Sequence, residues 1–457
     1  MTWTLNTLAT WCGAEVKPQE KDISVNHITF DSRKVQEGSL FVALCGQRVD
    51  GHDFAQSAKE KGAVAVLVEH PVDVEIPQLV VENTAKAFGA MAAGYRKSLP
   101  ISVVGITGSV GKTSTKEMVA AVLESTYRTS KTKENHNNDL GLPMTILSME
   151  EDTQMAVLEM GMNHFGEMAY LTSIARPNIA VITNIGTAHI EFLGSREGIL
   201  QAKMEIMQSM DDDAVAVFNG DEPLLWNLKD SEVHKKYYFG VENTACHVVA
   251  EDIQPMDGGI RFRVRGFGQE FEVFLPTEGM HTVYNALAAI TVGLLRKVKP
   301  EKIQIALSNF KNVGMRQKIS VEKGMTIIAD CYNAGPESME AALHVLGDHK
   351  TEGKRIAVLG DMLELGTRSQ AEHYRIGRFA ASQADLLYVY GTNSDRMITG
   401  AVTGGMEKSC CQHFTTHEAM AEKLRAVAKE GDVLLFKGSR GMRMEHVLQL
   451  FLEDHQG

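Results

Sequence analysis

The chain has 457 residues, 44% of them hydrophobic and 23% charged, and a formal net charge of −12. That composition argues for roughly two to four globular domains and requires no disordered region. The acidic balance and the lack of a long Lys/Arg run argue against general nucleic-acid binding, so an anionic ligand must be held locally by backbone amides and a few placed cations.

Cys12, Cys45, Cys246, Cys331, Cys410 and Cys411 form no CxxC pair and no ligand-like spacing to histidine. Reduced thiols in a cytoplasmic protein are expected, rather than a disulfide framework or a zinc site. The first residues lack a basic segment followed by an apolar run, so no signal peptide is expected. No apolar run reaches the roughly 18 residues of a membrane span.

Three blocks follow one another. In residues 1–98, β-like runs at 39–44 and 63–68 flank a helical stretch at 53–61, and a second helical stretch covers 84–97. This pattern predicts a small α/β domain. The second block, 99–314, opens with an apolar strand at 101–106, a glycine-rich turn and a helix over about 112–124. Further apolar strands at 155–159 and 179–184, set between helices, imply a mainly parallel sheet covered on both faces. Alternating residues over 259–275 predict an antiparallel hairpin added to that domain. The third block, 315–457, repeats the strand–helix rhythm at 326–330, 355–360, 386–391 and 433–438, the pattern of a Rossmann-like, doubly wound fold. The fold class is α/β in three domains.

The turn reads Thr107-Gly108-Ser109-Val110-Gly111-Lys112-Thr113-Ser114. A strand delivers it and a helix leaves it, the context a phosphate loop requires. Amides from Gly108 to Thr113 are expected to converge on phosphate oxygens at the helix N-terminus. Lys112 reaches the phosphates in this reading, and the Thr113 hydroxyl ligates Mg²⁺. The common spacing GxxxxGK[ST] would place glycine at 106, where Ile106 stands.

Chemistry-bearing residues gather at the ends of the neighbouring strands. Glu159 ends the 155–159 strand, where ligands bind in open α/β sheets and where a carboxylate suits Mg²⁺. His189 follows the 179–184 strand and is a candidate cation ligand or charge stabiliser. Lys203, taken alone, reads as an exposed helix lysine. The stretch 135–143 is dense in amides, which suits phosphate or sugar oxygens and equally suits an ordinary Asn-rich turn.

Taken together, Thr107-Gly108-x-x-Gly111-Lys112-Thr113, Asn138-x-x-Gly141-x-Pro143, Glu159 and His189 resemble the Mur ligases, the ATP-dependent amide ligases of peptidoglycan precursor synthesis. The resemblance spans the chain. It includes Asp31-Ser32-Arg33 and Asp50-Gly51-His52-Asp53-Phe54, which are similar to the family's uridine-diphosphate domain. It also includes the 330–339, 359–366 and 437–445 segments. The first of these departs from the usual form, which has asparagine where Gly335 stands.

The resemblance implies ATP and Mg²⁺ as cofactors, with roles at matching positions. Residues 107–114, Asn285, Arg316 and Asp330 would bind the nucleotide. Thr113, Glu159 and His189 would hold metal, together with Lys203, which matches the position that carries a carbamate. Lys112, His189, Lys203 and Arg316 would serve catalysis. Ser32, Arg33, Asn138, Asn333, Ser338, Lys437, Ser439 and Arg440 would contact substrate. The family members most similar in these segments join D-alanyl-D-alanine to UDP-N-acetylmuramoyl-tripeptide, so these are the expected partners of a cytoplasmic monomer that binds no nucleic acid. Adding the third peptide residue, diaminopimelate or lysine, is the rival within the family. The Asp-Asn-Pro-Arg type motif associated with diaminopimelate is absent, and 359–366 favours the dipeptide step. A folylpolyglutamate-type ligase would lack the uridine domain that Asp31-Ser32-Arg33 resembles. A phosphate-loop switch would leave the third domain and the Asn-rich segment without a role.

Overall fold

The computed structural model describes residues 1–46, 48–312, 314 and 316–453. Met315, the expected start of the third domain, and residues 454–457 lie outside the described residues.

Near the N-terminus, Trp3–Thr4 pairs antiparallel with Ser24–Val25. A four-stranded parallel sheet follows in the order His27–Thr29, Ser39–Val42, Ala63–Val68, Gln78–Val80. The helical stretch expected at 53–61 begins as a 3₁₀ turn, Gly51–Phe54, and continues as the α-helix Ala55–Glu60. Asp50 starts it by accepting a hydrogen bond from the His52 amide, the usual way a side chain satisfies an orphan N–H.

The central sheet has nine strands. Seven run parallel in the order Val248–Met256, Lys235–Gly240, Val215–Asn219, Ile179–Ile182, Ser102–Thr107, Met155–Glu159, Thr129–Lys131. The expected hairpin, Gly259–Gly266 with Gln269–Leu275, extends the same sheet antiparallel through Val248–Met256. The inner strands are apolar throughout because each of their faces meets a core. Val103, Ala156, Leu158, Ala180 and Ile182 enter one core. Val104, Ile106, Val157, Ile179 and Val181 enter the other, following the two-residue period of a strand. Helices Lys112–Glu124 and Met280–Leu295 supply much of that second core.

The last sheet has six strands in the order Lys318–Glu322, Met325–Asp330, Val433–Lys437, Arg355–Gly360, Leu386–Tyr390, Cys411–Phe414. The first pairing is antiparallel and the others are parallel. Asp330 and Lys437 end neighbouring strands in register. This register places two opposite charges side by side at the edge that faces the central sheet's cleft.

The helix Thr84–Ser98 ties the first sheet to the second. Its Phe88, Met91 and Tyr95 share a core with Leu142, Ile146, Leu171 and Ile174. The Tyr95 hydroxyl donates to the Met149 carbonyl at 2.8 Å. Arg96 donates to the carbonyls of Ala175 and Arg176, both at 2.8 Å, satisfying acceptors at the end of the helix Glu167–Ala175. Phe88 is fully buried and meets Phe30 edge to face at 6.0 Å between ring centroids. Phe88→Ala is expected to cost about 3–5 kcal/mol. Urea unfolding followed by tryptophan fluorescence should show the loss, and an unchanged midpoint would refute this account of the joint.

Candidate active site

The phosphate loop is tightly braced before any ligand enters. Gly108 has φ 154° and Gly111 has φ 82°, both in the region glycine favours. A Cβ at Gly108 would overlap the Thr183 hydroxyl, and one at Gly111 would lie 2.6 Å from Asn285 Oδ1. Ser109 and Val110 donate their amides to Asn184 Oδ1 at 3.1 and 3.0 Å. Thr183 Oγ1 donates to the Val110 carbonyl at 2.6 Å, and Ser109 Oγ accepts from the Gly186 amide at 2.9 Å. These bonds correct the expectation that all amides from Gly108 to Thr113 face a phosphate. Asn184 occupies two of them, because the loop is stapled to the end of the adjacent strand. The amides of the first helical turn, Lys112 to Ser114, have no i−4 carbonyl within the helix and remain for an anion.

Behind the loop lies Glu159, 1% exposed. Thr113 Oγ1 donates to one carboxylate oxygen at 2.8 Å and Asn137 Nδ2 to the other at 2.9 Å. The Glu159 amide donates to Thr132 Oγ1 at 3.0 Å. Lys116, one turn along from Lys112 and also buried, lies 3.9 Å from Glu159 and donates to the Thr132 carbonyl at 2.8 Å. A hydroxyl and a carboxylate fixed together are hard oxygen donors of the kind Mg²⁺ takes. The Thr107 hydroxyl nearby is buried without a hydrogen-bond partner among the described residues, so the strand end holds unused polar capacity.

Three cations converge here. Lys112 lines the cleft with Nζ donating to the Gly108 carbonyl at 2.8 Å. Burial pushes its ammonium below the usual lysine range; Glu159 opposes this and Arg316 adds to it. Lys203 belongs to the helix Arg196–Met204 but is 2% exposed, so the reading of an exposed helix lysine is corrected. Its side-chain nitrogen has no hydrogen bond or ion pair with the described residues, although its carbonyl accepts the Glu205 amide. Burial, then the positive charge of Lys112, hold its amine well below the ordinary value. Arg316 stacks its guanidinium over the Tyr332 ring at 4.0 Å. Like charges gathered with depressed lysines favour a polyanion, which would relieve their mutual repulsion.

The cleft holds about 700 Å³ and runs between the central and last sheets. It is within the size range of small-molecule sites. Its walls include Ser109, Val110, Gly111, Lys112, Ser114, Asn138, Glu159, His189, Asn285, Arg316, Asp330, Asn333, Ser338, Lys437, Ser439 and Arg440. Thr113 and Lys203 sit behind this lining. Several of these side chains already have internal work. Lys437 donates to Asp330 at 2.5 Å and to the Asn333 carbonyl at 3.0 Å. Ser338 Oγ bonds both the amide and the carbonyl of Gly335, capping the helix Pro336–Asp348. A Cβ at Gly335 would meet nothing within 4 Å, so the missing asparagine leaves open space rather than a clash. Asn138 Oδ1 accepts from the Gly141 amide at 2.9 Å, and Asn285 Oδ1 accepts from Thr115 at 3.1 Å. Ser439 Oγ donates to the Ala334 carbonyl and accepts from the Leu363 amide; Arg440 pairs with Glu445 at 2.8 Å.

Ser32 and Arg33 lie outside the cleft lining, on the first sheet's side of the molecule. Arg33 grips Asp31 with two bonds of 2.9 Å, and that contact holds the Asp31 carboxyl down to about 2. Cys45, Asp50 and His52 come within 4.8 Å of one another in the same region. His52 Nε2 accepts the Glu69 amide, which puts the ring proton on Nδ1 facing Asp50, so that nitrogen is not open to a cation.

Sequence reasoning passed over Thr132, Asn184, Lys116 and Glu337; it marked Asn137 only as part of the amide-rich stretch 135–143 and Glu364 only as part of the 359–366 segment. A lysine one helical turn after Lys112 and an asparagine closing the 179–184 strand were the available signals. Glu337 carried none, and nothing in the 359–366 segment pointed Glu364 at His189, because each meets its partner from more than 140 residues away. Glu337 accepts from the Thr187 hydroxyl at 3.2 Å, and Glu364 accepts from His189 Nδ1 at 2.7 Å.

This arrangement recurs in known proteins. Three family models match the chain in succession: Mur ligase family, catalytic domain, over 24–105; Mur ligase middle domain over 106–293; and Mur ligase, glutamate ligase domain, over 315–440. The chain is 39% identical over 447 residues to UDP-N-acetylmuramoyl-tripeptide–D-alanyl-D-alanine ligase of Bacillus subtilis (strain 168), covering 96% of each. A crystal structure of MurF from Acinetobacter baumannii superposes with a TM-score of 0.91 at 32% identity, covering 99% of each chain. MurF ligase from Thermotoga maritima in complex with ADP gives 0.83 at 31%, covering 93% of this chain and 97% of that one. With the phosphate loop, the buried carboxylate and all three domains accounted for, the chain belongs to the Mur ligase family.

Proposed function

We propose that this chain is the ATP-dependent ligase that joins D-alanyl-D-alanine to UDP-N-acetylmuramoyl-tripeptide, giving the pentapeptide precursor, ADP and phosphate. The observation that carries this reading is the cleft that joins the phosphate loop, Lys112 and Arg316 to the third domain, in a chain 39% identical along nearly its whole length to a ligase of that name. The tripeptide's terminal carboxylate attacks the γ-phosphorus of ATP to give an acyl phosphate. The amine of the dipeptide then attacks the acyl carbon and phosphate leaves. The first step brings two anions together, and Lys112, Arg316 and the amides of the first helical turn are placed to offset that charge. Thr113 and Glu159 fit Mg²⁺, which when bound would polarise the phosphate. The third domain walls the cleft opposite the loop, limiting access of water to the acyl phosphate.

The proposed borders are 1–98 for the UDP-substrate domain, 99–314 for the ATP domain and 315–457 for the Rossmann-like domain that takes the dipeptide. Ser32 and Arg33 are assigned to the uridine-diphosphate end, which their distance from the reacting groups suits. His189 joins Glu159 and Thr113 in holding cations, and Asn285, Arg316 and Asp330 take the nucleotide. Asn138, Asn333, Ser338, Lys437, Ser439 and Arg440 face or support substrate. The chain is proposed to act as a monomer. A cytoplasmic location follows from the substrates, and no helix among the described residues is long and apolar enough to cross a membrane.

Lys203 is proposed to carry a carbamate. Its amine is buried and unpaired among the described residues, and burial, then the charge of Lys112, lowers it well below the ordinary lysine range, which favours the neutral, nucleophilic form. Attack on CO₂ with loss of a proton replaces a potential cation by an anion, relieving its repulsion with Lys112 and adding a charge that can order the cation site.

Phosphate release with ATP, Mg²⁺ and UDP-N-acetylmuramoyl-tripeptide should depend on D-alanyl-D-alanine and yield the pentapeptide mass. Release independent of the dipeptide would sink the assignment. Lys203→Ala should lose most activity. Since only the neutral amine reacts, carbamate falls as pH falls and the ammonium form grows. Added bicarbonate should therefore raise wild-type activity at acid pH and leave the variant unmoved, whereas a fully active variant would remove the carbamate.

A further inference from the structure

His189 and Glu364 meet across the cleft although 175 residues separate them. Both are non-glycine residues with positive φ, 64° and 61°. Such backbone is costly, and it persists only where the surroundings hold it. Here they do on both sides. On the central side, Arg196 donates to the Ile185 carbonyl at 2.6 Å and anchors the segment that leads to His189. On the other side the turn carrying Glu364 is fastened at three points. Asp361, 1% exposed, accepts from Ser394 Oγ at 2.5 Å and from the Asn393 amide at 2.9 Å. His373 Nε2 accepts the Met362 amide at 3.0 Å, and Ser439 Oγ accepts the Leu363 amide at 2.9 Å. The turn then presses against the central domain, where a Cβ on Gly366 would lie 3.3 Å from Glu191 Cβ.

A carboxylate can only accept, so the contact at 2.7 Å puts the imidazole proton on Nδ1 and leaves the lone pair on Nε2. A carboxylate behind a ligating histidine fixes tautomer and ring orientation in metal sites generally. We propose that Glu364 is a positioning residue for His189: by docking, the third domain sets the ring so that Nε2 is ready for a cation, and the central cation site is complete only when that domain is in place. This rests on the reading of His189 as a cation-holding residue.

The test uses the full-length chain and a non-hydrolysable ATP analogue, titrated calorimetrically with Mn²⁺ and again in EDTA. The ratio of the two Kd values isolates the cation's contribution and cancels general damage to the nucleotide site. Glu364→Ala should lower that ratio about 10-fold or more, the scale of lost metal affinity when such a partner is removed. Glu364→Gln, whose carbonyl can accept the same Nδ1–H, should recover most of it, and Kd in EDTA should stay put. In a His189→Ala background, Glu364→Ala should add nothing. An unchanged ratio in Glu364→Ala, or an equal further loss without His189, would overturn the proposal. If His189→Ala itself leaves the ratio untouched, the cation reading of His189 fails instead, while dipeptide-dependent phosphate release still tests the ligase assignment separately.

Discussion

A carboxylate with almost no contact with water must be paired, since an isolated buried charge costs several kcal/mol or more. Glu159 is that carboxylate, and its partners come from separate parts of the central domain. Thr113 belongs to the helix after the phosphate loop, and Asn137 belongs to the amide-rich segment. Lys116 lies one turn deeper in the same helix and also holds the Thr132 carbonyl. Satisfying Glu159 therefore locks the loop's helix, the neighbouring strand end and the Asn-rich segment into one arrangement. The same constraint makes the site ready for a cation, because the oxygen donors are already oriented.

The complementary constraint is a group of basic side chains, Lys112, Lys203 and Arg316, gathered near Glu159. Burial depresses both lysines first; Arg316 adds to this at Lys112, and Lys112 adds to it at Lys203. An enzyme that activates a carboxylate with ATP must bring anions together, and cations held in advance lower the cost of doing so at the moment of reaction. Asn184 plays a quieter part: by capping the Ser109 and Val110 amides it stiffens the loop and directs the anion toward the first helical turn.

The third domain supplies the far wall and meets the central domain through polar side chains, carboxylates and Gln317 among them. Glu337 meets Thr187, and Glu364 meets His189. Polar contacts of this kind are directional and can be broken and remade without exposing a core. The junction between the first two domains is different. There a continuous core through Phe88, Met91 and Tyr95, with Arg96 on the carbonyls of Ala175 and Arg176, makes a fixed joint.

Much of the architecture was legible in the sequence because it is local. The strands Met155–Glu159 and Arg355–Gly360 and the helix Lys112–Glu124 have the bounds that apolar runs and glycine punctuation predict. The phosphate loop was legible because glycine, lysine and threonine must be neighbours in the chain to surround a phosphate. The fate of Lys203 was not, because helix periodicity says which face a residue occupies and not what covers it; packing turned an apparently exposed lysine into a buried amine. Likewise the sequence could mark the amides at 135–138 but not that Asn137 bonds Glu159 while Asn138 accepts from the Gly141 amide. The contact of Glu364 with His189 lay furthest from sight. By itself the sequence determined the elements, the loop and the family's chemistry; tertiary structure alone decided which charges are buried and which distant residues meet, since desolvation and pairing depend on neighbours in space.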